Sequence, residues 1–329
     1  MNRTQHYRAF AITVVWTLGL LWLGSVVHAT ESSLACPDWP TCYGSWVPEM
    51  TGGVFWEHLH RLVAGGLILF FLGATYLVWK EGPRFPWVLT ASVLGVLLLL
   101  VQAVFGGLTV IFRLPDALST THLGLAFLFL GLATALALVS APWWDRGVGP
   151  APGARRLLRQ GALVATALAF LQSVLGAGVR HTDAGVACPD VPLCLGQWIP
   201  PLQNPLVLLH FTHRVVGVAL LVLVLWLGHQ AFWKSGTSLL RRLGVAAAVV
   251  VVAQVLLGFF SVYFRLAVTP VSLHTLLGAL LLTLLVAMTG LTWAPAPAEG
   301  RSRGAEEAGS ASRESVAPGA RVPGQGGSG

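Results

Sequence analysis

The sequence predicts an all-α membrane protein with eight transmembrane helices. They form two tandem four-helix bundles related by a pseudo-twofold axis along the membrane normal. Three observations carry this expectation. Of 329 residues, 55% are apolar and only 10% are Asp, Glu, Lys or Arg, whereas a soluble domain carries about a quarter charged residues. Eight apolar stretches approach the bilayer-spanning length of about 20 residues. And the chain repeats itself at an offset of 152 residues.

The spans fall at 10–28, 60–79, 87–111, 121–140, 157–179, 212–233, 242–264 and 273–293. Hydrocarbon cannot satisfy backbone N–H and C=O groups, so these segments must be helices. Breakers separate them: Pro83, Pro86, Pro142, Pro150, Pro152 and Gly236. Span 1 follows Arg3 and Arg8 as a cleaved leader would, but it has a counterpart in span 5, which marks it as part of the fold.

Charge sets the orientation. Eleven Lys and Arg flank one side of the spans: Arg3, Arg8, Lys80, Arg84, Arg146, Arg155, Arg156, Arg159, Lys234, Arg241 and Arg242. The other side has five, Arg61, Arg113, Arg180, Arg214 and Arg265. The positive-inside rule then places both termini in the cytoplasm. The formal charge of +7 thus reflects membrane lipid and not nucleic acid. With no transit-peptide pattern at its N-terminus, the chain is expected in a bacterial plasma membrane. Residues 294–329 lack apolar periodicity and read as a disordered cytoplasmic tail.

The repeat is the most specific feature. Cys36-Pro-Asp-Trp-Pro-Thr-Cys42-Tyr-Gly-Ser-Trp-Val-Pro48 returns as Cys188-Pro-Asp-Val-Pro-Leu-Cys194-Leu-Gly-Gln-Trp-Ile-Pro200, identical at eight of thirteen positions. The same offset relates Gln102 to Gln254, Gly106 to Gly258, Arg113 to Arg265 and His122 to His274, and an offset of 153 relates His60-Arg61 to His213-Arg214. Each half has four spans, so both halves share one orientation, as in parallel-repeat transporters. The expected domains are 1–145, a linker at 146–156, 157–293, and the tail at 294–329.

All four cysteines lie in outward loops, spaced C-x5-C. An oxidising compartment favours a disulfide within each pair, Cys36 with Cys42 and Cys188 with Cys194. Zinc is a rival, although C-x2–4-C is its usual spacing. A reversible thiol pair, exchanging electrons or holding a cofactor, is a third reading.

Histidine at membrane depth marks a functional site by default. His60, His122, His213 and His274 each open an even-numbered helix, and all four helices start at the outer surface. Two neutral imidazoles at equal depth in one bundle suit axial ligation of haem iron. Gly65-Gly66, Gly106-Gly107, Gly124, Gly217, Gly258 and Gly278 would let a flat ring approach the backbone, or serve tight helix packing. Arg61, Arg113, Arg214 and Arg265 are placed to meet propionates or to snorkel. One asymmetry stands out: Glu57 aligns with His210, so the first half reads E-x-x-H and the second H-x-x-H. A carboxylate one turn from a ligand can handle protons or stabilise positive charge; the alternative is a helix N-terminal acid favoured by the dipole.

These residues resemble the haem A synthase family across all eight spans. The resemblance rests on Cys-Pro-Asp-Trp-Pro, Glu57-x-x-His60-Arg61, His210-x-x-His213-Arg214, His122 and His274. It implies oxidation of one methyl of haem O to a formyl group, giving haem A. It further implies a resident haem b on His213 and His274, which accepts electrons and passes them on. The substrate haem would lie at His60 and His122, with Glu57 as the catalytic carboxylate. Haem O synthase and the cytochrome oxidase assembly machinery are the implied partners. It also implies an electron donor outside the chain, and it is compatible with a homo-oligomer. Family first halves carry an Arg at the end of helix 1 where this chain has His28, opposite Arg180, a further propionate candidate. The competing readings are a dihaem b-type quinone-linked electron carrier and a repeat-built transporter of haem or another anion.

Overall fold

The computed structural model describes residues 3–297. Among them, eight helices are long and apolar enough to cross a membrane. In chain order they are α1 (Arg3–Ala29), α2 (Gly52–Glu81), α3 (Pro86–Ile111), α4 (Asp116–Ser140), α5 (Pro152–His181), α6 (Pro205–Lys234), α7 (Ser238–Tyr263) and α8 (Val268–Leu291). A short 3₁₀ turn, Ala184–Val186, follows α5. Proline at the first turn of α3, α5 and α6 starts each helix where its missing N–H costs nothing.

Several helices begin before the apolar runs that announce them. The first two turns of α2 and α6 include Glu57 and His58, and His210. Hydropathy undervalues such turns, although their backbone bonding is helical. As a result the four histidines do not open their helices. His60 and His213 each lie eight residues past the first residue of α2 and α6, and His122 and His274 each lie six past the start of α4 and α8. The pairing in depth is preserved.

Helix α2 packs on α1 and α3, and so does α4, which puts α2 and α4 at opposite corners of a ring. In the second half α6 packs on α5 and α7, and α8 packs on the same two. Between the halves, α1 meets α8, α4 meets α5, and α4 meets α8. Exchanging each helix with its repeat counterpart maps this set of contacts onto itself. Local conformation repeats as well. Left-handed residues recur at Tyr43 and Leu195, Arg113 and Arg265, and Leu114 and Leu266, and cis prolines at Pro40 and Pro192.

Apolar burial drives little helix association inside lipid, so close approach of small residues matters more. Buried Ala154, Ala162, Ala165 and Ala169 line one face of α5 within the larger core cluster. A Cβ on Gly228 of α6 would stand 2.8 Å from the Gly244 carbonyl of α7, so any side chain there would push those helices apart. At the end away from the cysteines, Arg155 and Arg159 donate to the Thr292 carbonyl at 3.3 and 3.1 Å, capping the last turn of α8. Ala294 is buried, and the Pro295 carbonyl accepts from Gly149 N–H at 2.8 Å. The segment expected as tail therefore packs at its start; from residue 298 on it lies outside the described residues.

Candidate functional site

The two C-x5-C segments are closed by disulfides, Cys36–Cys42 and Cys188–Cys194, with Cα atoms 4.8 and 4.7 Å apart. Their sulfurs are therefore not zinc ligands here. Each loop is fastened to the following helix by one arginine. Arg61 donates to the carbonyls of Asp38 (2.7 Å), Thr41 (2.6 Å) and Cys36 (3.3 Å). Arg214 donates to those of Asp190 (2.8 Å), Leu193 (2.8 Å) and Cys188 (2.7 Å). Both guanidinium groups hold loop backbone, and that of Arg61 also pairs with Glu57. Arg113 and Arg265 instead lie exposed on left-handed turns.

Below each loop lies a pair of imidazoles on opposed helices, His60 (α2) with His122 (α4) and His213 (α6) with His274 (α8). Each pair is within electrostatic reach. Every ring is backed by a glycine of a neighbouring helix. A Cβ added to Gly24 would lie 3.0 Å from His60 Cε1, to Gly106 3.0 Å from His122, to Gly176 2.9 Å from His213, and to Gly258 3.1 Å from His274. Gly106 and Gly258 were named from sequence; Gly24 and Gly176 were missed, although they too are related by the 152-residue offset. Of the other glycines, Gly217 and Gly278 receive the amides of Gln172 and Gln254, while Gly65 faces open space.

The Nδ1 atoms of His60, His122 and His213 are buried without a hydrogen-bond partner. His274 Nδ1 alone is paired, with the Gln254 carbonyl at 3.0 Å. An axial imidazole gives iron one ring nitrogen and leaves the other to a hydrogen bond; in His274 the Gln254 carbonyl takes Nδ1, which would leave Nε2 for iron. Gln102 and Gln172 donate to the His122 and His213 carbonyls at 2.8 and 2.9 Å, fixing the backbone beneath those rings. Among the described residues no cluster of three or more His, Cys, Asp or Glu could hold a bare ion. The donor set therefore fits a planar metal complex that needs only two axial nitrogens, an iron porphyrin.

The halves differ at Glu57 and its counterpart. Glu57 is buried; its Oε2 accepts from Cys36 N–H at 2.7 Å and its Oε1 pairs with Arg61 at 2.5 Å. His210, in the same place, holds the Ala184 carbonyl at 2.8 Å through Nδ1. His58, buried beside Glu57, meets the Trp46 carbonyl at 3.1 Å; the repeat does not mark it, since its counterpart is Phe211. The first loop is thus tied by Glu57, His58 and Arg61.

Between the halves lies a second polar group. Arg180 of α5 donates to Ser25 Oγ and to the Ser25 carbonyl of α1, both at 2.7 Å, and to Thr275 Oγ1 of α8 at 3.5 Å. His28 stacks edge-on against His181 with ring centroids 5.2 Å apart, and His181 Nδ1 pairs with Thr120 Oγ1 at 3.3 Å.

Comparison with known proteins gives the family of the chain. The pattern of the COX15-CtaA family, described as cytochrome oxidase assembly protein, matches residues 7–286. A heme A synthase of Halalkalibacterium halodurans is 32% identical over 217 residues, covering 65% of this chain and 72% of that one. One from Symbiobacterium thermophilum is 32% identical over 260 residues, covering 76% and 83%. One from Lysinibacillus sphaericus is 27% identical over 297 residues, covering 88% and 95%. The chain belongs to the COX15-CtaA family of cytochrome oxidase assembly proteins.

Proposed function

We propose that this protein is a haem A synthase, an oxidoreductase converting a methyl group of haem O to the formyl group of haem A. The observation that carries the reading is two glycine-backed imidazole pairs of one design, of which only the first has a buried carboxylate one turn away. A protein built only to pass electrons has no use for that asymmetry.

The substrate haem O belongs to the first half, between His60 and His122, and a resident haem b to the second, between His213 and His274. Bound haem b supplies one-electron redox chemistry; the protein supplies position, charge and exclusion of water. Gly24, Gly106, Gly176 and Gly258 leave the imidazoles room to turn. Gln102 and Gln172 hold two of them from behind. Glu57 sits one turn before His60, its charge held by Arg61 and Cys36 N–H. A carboxylate keeps acceptor capacity beyond two hydrogen bonds, enough to receive a proton or face developing positive charge. Arg113 and Arg265, exposed at the helix ends, and Arg180, which also holds Ser25 and Thr275, are the propionate candidates.

The two bundles, 1–145 and 157–293, act as separate haem-holding units. The disulfide loops face the outer compartment of a bacterial plasma membrane, and both termini face the cytoplasm. Haem O synthase is the upstream partner, and oxidase assembly receives the product.

The test is pigment extraction from membranes containing the overexpressed protein. Haem A and its hydroxylated precursor are expected from the wild type. Glu57→Gln is expected to keep a low-spin b-type spectrum yet yield no haem A. Normal haem A output from that variant removes Glu57 from the chemistry, and haem B alone from the wild type makes the protein an electron carrier.

A further inference from the structure

The disulfide loops differ most at the residue between the carbonyls that arginine holds. In the first loop this is Trp39. Its indole lies on Gly107 of α3, so close that a Cβ on that glycine would stand 2.6 Å from Trp39 Cδ2 and 2.8 Å from Cε2. Gly107 adjoins Gly106, which backs the His122 ring. On the other side, Arg61, next to His60, holds the Asp38 and Thr41 carbonyls that bracket Trp39, and Glu57 holds Cys36 N–H. Residues 36–41 therefore cross from α2 to α3 over the end of the bundle that carries both imidazoles.

The second half exchanges the two sizes. Trp39 corresponds to Val191, and Gly107 to Phe259. Bulk that the first half carries on its loop, the second carries on its helix. A loop residue can leave with the loop, whereas Phe259, although exposed, is carried by the backbone of α7.

We propose that Trp39 is part of the substrate site: its indole, seated on Gly107, roofs the first imidazole pair, and the loop that bears it is the door through which the porphyrin enters and leaves. This rests on the assignment of the substrate to the first half. The second half, with its aromatic fixed to α7, retains its porphyrin. The class of ligand is a flat, largely apolar macrocycle, for which an indole face is a suitable contact.

The test is porphyrin release. Full-length protein in detergent, loaded with haem B at both sites, is mixed with excess apomyoglobin, and transfer is followed by absorbance. A fast and a slow phase are expected, the fast one abolished by His60→Ala and the slow one by His213→Ala. Trp39→Ala should accelerate the fast phase roughly tenfold, the change expected from losing an aromatic contact worth about 1.4 kcal/mol, and leave the slow phase unchanged. Trp39→Phe should fall between. The double variant Trp39→Val with Gly107→Phe, which copies the second half, should slow the fast phase toward the other. If the fast phase exists but none of these variants moves it, the roof is overturned. If no phase depends on His60, it is instead the assignment of the first site that fails.

Discussion

Arg180 grips Ser25 twice, donating to its hydroxyl and its carbonyl at 2.7 Å each. Ser25 follows Gly24, the backing of His60, and Thr275, the third partner of Arg180, follows His274. One guanidinium thus touches the immediate neighbours of both imidazole sites. Hydrogen bonds to a charged group contribute about 1.5–3 kcal/mol. Arg180→Ala should lower the thermal unfolding midpoint of the detergent-solubilised protein by several degrees. Arg180→Lys, one point charge in place of a fork, should recover only part of it. An unchanged midpoint in Arg180→Ala removes this contact from the interface between halves.

The glycine behind His213 is the tightest of the four, at 2.9 Å for an added Cβ. Gly176→Val should turn the ring out of register at a cost of about 1–3 kcal/mol, the usual range for overpacking. The purified variant is expected to hold less than half the wild-type b-type haem per protein by pyridine haemochrome assay, roughly what that cost implies. Its helical circular dichroism should be unchanged. Gly65→Val, where the side chain meets open space, is the control.

Asp38 accepts from the Thr41 hydroxyl, from Gly44 N–H at 2.9 Å and from Tyr43 N–H at 2.6 Å. These bonds, that from Thr41 foremost, hold its carboxyl below the usual range. A depressed folded-state value means that the stabilisation is present above the ordinary carboxylate pKa of about 3.9 and is lost as pH falls through the depressed one. Hydrogen-exchange protection of Tyr43 and Gly44 should therefore hold at neutral pH and collapse below the ordinary range. Asp38→Asn should lack the charged part of that protection at every pH.

Each disulfide closes a loop with a sequence separation of six residues, worth about 2 kcal/mol in the chain-entropy account. Replacing both cysteines of a pair by serine should raise local exchange in that loop alone. The first loop, still tied by Glu57, His58 and Arg61, should lose less protection than the second. Equal loss in both would mean that the Glu57 and His58 ties contribute nothing.

Much of this was legible in the sequence. Eight apolar runs announced eight helices, and the repeat paired His60 with His213 and His122 with His274. Helix starts were less legible, because hydropathy is blind to polar turns such as those holding Glu57 and His58. The glycine backing was half visible. Gly106 and Gly258 were noticed within spans rich in small residues, whereas Gly24 and Gly176 look ordinary until three-dimensional packing sets them against a ring. The ties of Arg61 and Arg214 to loop carbonyls left no sequence signal beyond the arginines, since a backbone acceptor has no side-chain identity.

That last feature bears on how a duplicated gene diverges. Because Arg61 and Arg214 hold their loops through main-chain oxygens, either loop can change many side chains without losing that anchor. The two repeats can therefore carry different side chains in their hairpins on one shared framework.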